Sequence, residues 1–143
     1  MSFLPFARTG NLGVWAVVVD RLGGWNEEYV VAEDVEFAWR AQLAGYRVGL
    51  ARKALVHTRF RESLRELTRQ GFGRGVAHAR LYRDFKHHGL ERPKIRTALR
   101  QWAWLVRHVA DCRSTNGRGA WLWIASTRWG RLRGSIRYRV LCL

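Results

Sequence analysis

The spacing of apolar and polar residues predicts three helical segments along the chain. From Glu33 onward, apolar side chains recur near the i, i+3, i+4 and i+7 positions of a helix, and Gly45 is a natural stop for that helix. A second helical stretch covers residues 62–87, and a third runs from Ile95 to Val109. Residues 114–119, rich in Ser, Thr, Asn and Gly, predict a turn or linker.

The second helical stretch contains three glycines, at positions 71, 73 and 75. Glycine weakens a helix and leaves room for another backbone to approach. We therefore expect either a kink or a close helix contact near these residues.

Other segments have the β-branched residues and flanking glycines typical of strands. Residues 9–14 predict a strand that runs into a short helix ending before Gly23. Residues 46–50 and 54–57 predict two short strands, or one interrupted strand. The chain is therefore expected to contain both helices and strands.

Composition narrows the class of protein. The 143 residues are 48% hydrophobic and include eight Trp, which suits one domain with a core and excludes wholesale disorder. Cys112 and Cys142 cannot form a disulfide framework or a four-cysteine metal site, so we expect two reduced thiols in a cytoplasmic protein. Residues 1–8 are too short for the apolar part of a signal peptide, and no run of eighteen apolar residues is present to span a membrane.

Positive charge is concentrated in the last third of the chain. The formal net charge is +15, and residues 92–143 carry twelve Lys and Arg against a single acidic residue, Asp111. Arg outnumbers Lys by 23 to 3, which suits bidentate phosphate binding but also follows from GC-biased codon usage. The uneven charge indicates an anionic surface as the partner of this region.

Four short motifs in the first sixty residues carry the candidate chemistry. They are Thr9-Gly10-Asn11-Leu12, Gly23-Gly24-Trp25-Asn26-Glu27, Glu33-Asp34-Val35-Glu36-Phe37-Ala38-Trp39-Arg40, and Ala44-Gly45-Tyr46-Arg47-Val48 followed by His57. In this order and spacing they resemble the C-terminal half of the catalytic domain of family 2 glycosyltransferases, over roughly residues 6–88. The resemblance implies an inverting transferase with an α/β, Rossmann-like GT-A fold.

An inverting sugar transfer needs a carboxylate that takes a proton from the acceptor hydroxyl. The resemblance implies that Asp34 is this general base, with Glu33 beside it in the catalytic pair. From the residues alone, the two acids could instead cap the helix that follows them. Arg40 lies on a different face of that helix, so we expect it to form an ion pair rather than act in catalysis.

The resemblance also implies roles in substrate binding. His57 would be a ligand of a divalent metal, Mg²⁺ or Mn²⁺, that neutralises the leaving diphosphate, and Arg59 and Arg61 would contact the same donor diphosphate. Gly24 and Trp25 would bind the acceptor. The residues alone also allow an edge histidine, two solvated arginines and a tryptophan that packs as a lid.

The chain contains no Asp-x-Asp sequence and no βαβ nucleotide-binding unit of the family. We therefore expect residues 1–90 to be the acceptor-side half of a partial GT-A domain that lacks its N-terminal nucleotide-binding half. The nucleotide-sugar donor would then be bound together with a separate N-terminal half chain. Whether the chain is an active enzyme or an inactive truncated remnant stays open.

Residues 91–143 predict a basic, Trp/Arg-rich tail of amphipathic α-helices. Arg and Trp on such helices are typical of segments that lie on an anionic membrane surface, here through residues 94–143. This would suit a transferase for a glycan or lipid-linked acceptor in cell-envelope synthesis, peripheral on the inner face of the plasma membrane. A packed helical appendage and a non-catalytic membrane-surface or nucleic-acid-binding protein remain alternatives. Against nucleic acid, no nucleic-acid module is recognisable in the sequence.

Overall fold

The computed structural model describes residues 3–58 and 63–142. The chain divides into two compact units. We call them the N-terminal unit, with described residues 3–58, and the C-terminal unit, with described residues 63–142. Each unit has its own buried side chains and is described separately.

The N-terminal unit is built around one helix. After a 3-10 turn at Thr9–Asn11 and helix α1 at Ala16–Arg21, helix α2 covers Glu33–Leu43. Trp39 of α2 is the best-buried large side chain, with 1% of its surface exposed, and its indole Nε1 donates a hydrogen bond to the carbonyl of Leu4 at 2.8 Å. The predicted helix and its stop are confirmed, because Gly45 follows α2 with a φ of +92°.

The α/β, Rossmann-like fold prediction is wrong for the described residues. None of residues 3–58 or 63–142 lies in a β-strand. Residues 46–50 and 54–57, predicted as strands, have irregular backbone, and Leu50 and Leu55 are 85% and 82% exposed. A strand persists only when a neighbouring strand pairs with its N–H and C=O groups, and β-prone composition alone supplies no such partner.

The C-terminal unit consists of three helices. Helix α3 covers Leu64–Phe85, α4 covers Ile95–Arg107 and α5 covers Thr115–Arg137. Helices α3 and α5 make the most extensive contact, and α4 packs mainly on α5. After α5 the chain turns back, and Cys142 is fully buried with its N–H donating to the Ser135 hydroxyl at 3.2 Å.

Small residues bring the backbones of α3 and α5 together. We call this contact the small-residue crossing; it comprises Gly71, Gly75 and Ala79 of α3 with Ser126, Gly130 and Gly134 of α5. A Cβ on Gly75 would lie 2.7 Å from the backbone nitrogen of Arg131, and one on Gly134 would lie 2.8 Å from the Cβ of Ala79. The predicted close helix contact is therefore confirmed, and α3 runs through it as one continuous helix.

The turn predicted at residues 114–119 is wrong, because α5 begins there. Ser114 is the N-cap residue, and its hydroxyl accepts a hydrogen bond from the N–H of Gly117 at 3.0 Å. Ser, Thr and Asn favour helix starts as well as turns, so composition alone does not separate the two.

Helix α3 packs with the helices that follow it in the C-terminal unit. The sequence instead predicts a domain boundary between residues 90 and 91. The proposed division into a transferase half and a tail stays a prediction about function. In the described parts of the chain, none of the helices has the length and apolar character needed to cross a membrane.

Candidate functional site

The start of α2 presents two acidic side chains. Ala32, just before the helix, has a φ of +66°, a left-handed conformation that is rare for residues with a Cβ. Glu33 and Asp34 follow in the first turn, both partly exposed, where the positive end of the helix dipole favours anions. Asp34 Oδ1 accepts a hydrogen bond from the N–H of Val35 at 2.8 Å, so it binds one of the free N–H groups of the first turn.

Two hydrogen bonds join the first motif to the start of α2 and to the segment that leads to His57. The hydroxyl of Thr9 donates to Glu33 Oε1 at 3.0 Å, and the side-chain amide of Asn11 donates to the carbonyl of Ala54 at 2.9 Å. Both donors lie in the same 3-10 turn, so this turn is bonded to Glu33 of the acidic pair and to the segment that leads to His57. The strand predicted for residues 9–14 is therefore wrong where this turn forms, and no pattern in the sequence indicated the contacts of Thr9 and Asn11.

Arg40 joins α2 to the glycine turn at residues 23–25. Its guanidinium pairs with Glu36 at 2.9 Å, donates to the carbonyl of Gly24 at 2.8 Å and also bonds the carbonyl of Leu22. Gly23 and Gly24 have φ values of +72° and +79°, which only glycine adopts without strain. The structure thus agrees with the expectation that Arg40 is an ion-pairing residue. The i, i+4 spacing of Glu36 and Arg40 was the signal that could have revealed the pair.

Trp25 packs on the same helix. Its ring stacks on Phe37 with a centroid distance of 4.2 Å, and the guanidinium of Arg40 lies 5.4 Å from the centroid of the Phe37 ring. Trp25 remains 36% exposed. Its inner face is therefore used in packing, and its exposed part is what remains for a ligand.

Within the described residues, the structure does not bring the predicted donor-binding and metal-binding residues together. His57 is exposed, and Arg59 and Arg61 lie outside the described residues. Within residues 3–58 and 63–142, no three His, Cys, Asp or Glu side chains are close enough to hold a metal ion. The described residues do not fit a complete Mg²⁺ or Mn²⁺ site. The role of His57 as a metal ligand therefore stays a prediction.

The C-terminal unit contains a second polar cluster that sequence reasoning missed. His78 of α3 accepts a hydrogen bond from the guanidinium of Arg131 through Nδ1 at 2.9 Å, and its carbonyl lies 3.7 Å from the Sγ of Cys142. Burial, with the nearby charges of Arg131 and Arg74, lowers the pKa of His78 to about 3. Burial also lowers the pKa of Arg128, which is only 5% exposed, to about 10. This cluster lies in the C-terminal unit, and the candidate acids lie in the N-terminal unit.

Comparison with known proteins identifies the family. Residues 2–132 match the family described as Glycosyl transferase family group 2. The match extends through α3 and α4 and most of α5, well beyond residues 6–88 that carried the sequence resemblance. Searches of curated proteins and of solved structures found no match. The family match covers most of the chain, and the chain therefore belongs to the family 2 glycosyltransferases.

Proposed function

We propose that the chain serves inverting sugar transfer from a nucleotide-sugar donor to a glycan or lipid-linked acceptor, with Asp34 as the general base. Membership of the family supports glycosyl transfer in general. The observation that supports the site is a pair of hydrogen bonds from one turn. They join the first motif to Glu33 of the acidic pair and to the segment before His57.

The proposed chemistry uses the carboxylate of Asp34 as a proton acceptor. The acceptor hydroxyl oxygen attacks the anomeric carbon of the sugar from the face opposite the leaving group. As the new C–O bond forms, the bond between that carbon and the diphosphate oxygen breaks, and the nucleoside diphosphate leaves with the electron pair. The hydroxyl proton passes to Asp34, and Glu33, held by Thr9, is the second acid of the pair.

Two features that contact helix α2, the helix that carries the proposed base, support an acceptor position. Gly24 has no Cβ, and an added Cβ there would meet no atom within 4 Å, so space is open on that side. The exposed part of Trp25 offers an apolar surface on which a sugar ring can stack. We therefore assign Gly24 and Trp25 to acceptor binding.

The donor side of the proposal rests on the family alone. Arg59 and Arg61 are assigned to the donor diphosphate, with His57 assigned to a divalent metal. A separate N-terminal half chain is proposed to complete this side of the site. Exposed apolar side chains in the N-terminal unit, Leu50 and Leu55 among them, support a further protein surface packed on it.

The test is sugar transfer by Asp34→Asn. Asparagine keeps the Oδ1 acceptor for the Val35 N–H, so the start of α2 should fold as before. The chain, together with the candidate half chain encoded by the gene immediately upstream, is incubated with labelled UDP- and dTDP-sugars and with membranes as the acceptor source. We expect Asp34→Asn to lower the transfer rate by about 10²- to 10⁴-fold, because a positioned base contributes that much.

Asp20→Asn is the matched control, since Asp20 is an exposed acid on α1 of the same unit. Its transfer rate should stay within about twofold of wild type, because no base is removed. Normal transfer by Asp34→Asn would refute the assignment of the base. No transfer by the wild-type preparation, with an intact fold, would support the inactive remnant instead.

We also propose that residues 94–143 attach the protein to an anionic membrane surface, on the inner face of the plasma membrane. Helix α4 supports this, because Ile95, Leu99 and Val106 share one face and are 51%, 61% and 75% exposed. Arg96, Arg100 and Arg107 form a neighbouring stripe about a third of a turn away. An exposed apolar stripe beside a basic one is typical of a helix that lies in the membrane interface.

A further inference from the structure

A groove of about 610 Å³ lies between α3 and α5 in the C-terminal unit. We call it the basic groove; its lining residues are Arg65, Thr68, Arg69, Phe72, Ser126 and Trp129. The lining residues on α3 lie outside residues 94–143, the segment that the sequence predicts to contact a membrane. Two cationic groups, two hydroxyl groups and two aromatic rings therefore meet around one open space.

The two arginines of the basic groove are available to an anion. Arg65 and Arg69 are both exposed and one helical turn apart on α3. Neither guanidinium has a hydrogen bond or ion pair with any residue that the structure describes. Glu66 lines an adjoining depression beside both arginines, so one nearby carboxylate partly offsets their charge. Two guanidinium forks on one face, without a partner among the described residues, suit the oxygens of a phosphate group.

The hydroxyl groups of Thr68 and Ser126 add polar partners to the lining of the groove. Thr68 Oγ1 donates to the carbonyl of Arg65 at 2.9 Å, and Ser126 Oγ donates to the carbonyl of Trp123 at 3.1 Å. Because each hydroxyl proton is already used, the hydroxyl oxygens remain as acceptors. They can accept hydrogen bonds from the hydroxyl groups of a polar head.

The aromatic side of the groove continues into the apolar stripe of α4. Phe72 and Trp129 are 40% and 59% exposed. Trp129 meets Trp102 of α4 edge to face, with a centroid distance of 5.6 Å. Around the axis of α4, Trp102 lies about 40° from Val106 and about 60° from Leu99, so it borders the apolar stripe of α4 on the side that contacts Trp129. A ligand in the groove would thus have its charge on the arginines and its apolar part on the aromatic rings.

We propose that the basic groove binds the phosphate head of an anionic phospholipid at a bilayer surface, with the acyl chains directed over Phe72 and Trp129. This inference rests on the proposed membrane attachment and adds a defined headgroup site from α3 and α5. An anionic phospholipid would use both parts of the basic groove, with its phosphate on the arginines and its acyl chains on the aromatic rings. A free phosphate would use only the arginines.

The test compares lipid binding by the double variant Arg65→Gln/Arg69→Gln with wild type. Binding of short-chain dihexanoyl-phosphatidylglycerol is measured by calorimetry, and binding to vesicles of 30% phosphatidylglycerol in phosphatidylcholine by flotation. We expect the double variant to bind the short-chain lipid at least about tenfold more weakly, because two charge-assisted contacts are lost. Inorganic phosphate at the same concentration should not displace the lipid.

Arg47→Gln/Arg52→Gln is the matched control, since it removes the same charge from two exposed residues of the N-terminal unit. Equal weakening by the control pair would overturn the headgroup site and leave only a general charge effect. Displacement by inorganic phosphate would overturn the lipid assignment in favour of a free-phosphate site. Preference for RNA over anionic vesicles would overturn it in favour of nucleic acid.

The same experiment separates this inference from the membrane proposal. Failure of the wild-type protein to float with anionic vesicles would refute the membrane attachment by α4. Flotation of the wild type with unchanged short-chain lipid binding by Arg65→Gln/Arg69→Gln would refute the basic groove alone.

Discussion

His78 couples the stability of the C-terminal unit to pH. Its ring accepts a hydrogen bond from Arg131, and the cationic side chains that act on it are Arg131, Arg74 and Arg128. Its pKa falls from 6.5 to about 3 on folding, first through burial and then through these charges. The unfolded chain therefore binds a proton between these two pH values that the folded chain does not bind.

From this linkage we predict a loss of stability in acid. The contribution of His78 to the free energy of unfolding is fully present above pH 6.5. It falls as the pH drops, by up to about 1.4 kcal/mol per pH unit between pH 6 and pH 4. Urea unfolding of wild type and of His78→Gln at several pH values measures it. His78→Gln should have the shallower slope, and the difference isolates His78 from the carboxyl groups. Parallel slopes would contradict the prediction.

At the level of single residues, the sequence identified local relations and missed the distant ones. Glu33 and Asp34 lie in the first turn of α2 as their spacing predicted, because a helix start depends on neighbouring residues. The hydrogen bond from Thr9 to Glu33 joins residues 24 positions apart. No local pattern contains that contact, since it depends on how the chain folds back on itself.

The helices could be predicted from the sequence because a helix depends on neighbouring residues. The strand predictions were wrong for the described residues. The apolar period of α2, α3 and α4 is set within each segment, so their positions could be predicted to within a few residues. Residues 46–50 and 54–57 have strand-like composition, but strand formation needs a partner elsewhere. The four motifs located the family correctly although the fold implied by the resemblance does not occur in the described residues.

The small-residue crossing gives a prediction for α3 and α5. A Cβ on Gly130 would strike the carbonyl of Phe72, which is backbone and cannot move aside. We expect Gly130→Ala to lower the free energy of unfolding of the C-terminal unit by about 1–3 kcal/mol, the usual cost of overpacking. Thermal and urea unfolding followed by circular dichroism measure this change.

Gly119→Ala is the control on the same helix. Its Cβ would meet only Leu67 Cδ2 at 3.7 Å, an ordinary contact. Because alanine favours helix more than glycine, this variant should be stabilised by up to about 1 kcal/mol. A Gly130→Ala protein as stable as Gly119→Ala would show that the two helices are farther apart than the structure places them.

Both compact units expose apolar side chains, and the most exposed of them lie in the N-terminal unit. In the C-terminal unit, residues from all three helices are buried, and the most exposed large apolar side chains, Val106 and Ile136, are 75% and 72% exposed. In the N-terminal unit, Trp15, Val30 and Leu50 are 81%, 90% and 85% exposed. A unit of fewer than sixty residues with so much apolar surface in water is marginally stable at best.

We therefore predict that a fragment of residues 60–143 folds by itself and that a fragment of residues 1–59 does not. The C-terminal fragment should have helical circular dichroism and unfold in one cooperative transition. The N-terminal fragment should lack cooperative unfolding. Cooperative unfolding of the N-terminal fragment would show that it folds without the C-terminal unit and would contradict the prediction. A C-terminal fragment without helix would contradict it too, because that unit would then depend on the rest of the chain.

The small-residue crossing also has a consequence for how the chain is made. Its partners are far apart in sequence, as the bond between His78 and Arg131, 53 positions apart, illustrates. During synthesis, α3 is completed before Gly130 and Gly134 are added to the chain, so the glycine face of α3 has no partner in that interval. Glycine weakens an isolated helix, and α3 should therefore be largely unwound until α5 emerges. The residues that permit the closest approach in the finished protein thus delay helix formation in the nascent chain.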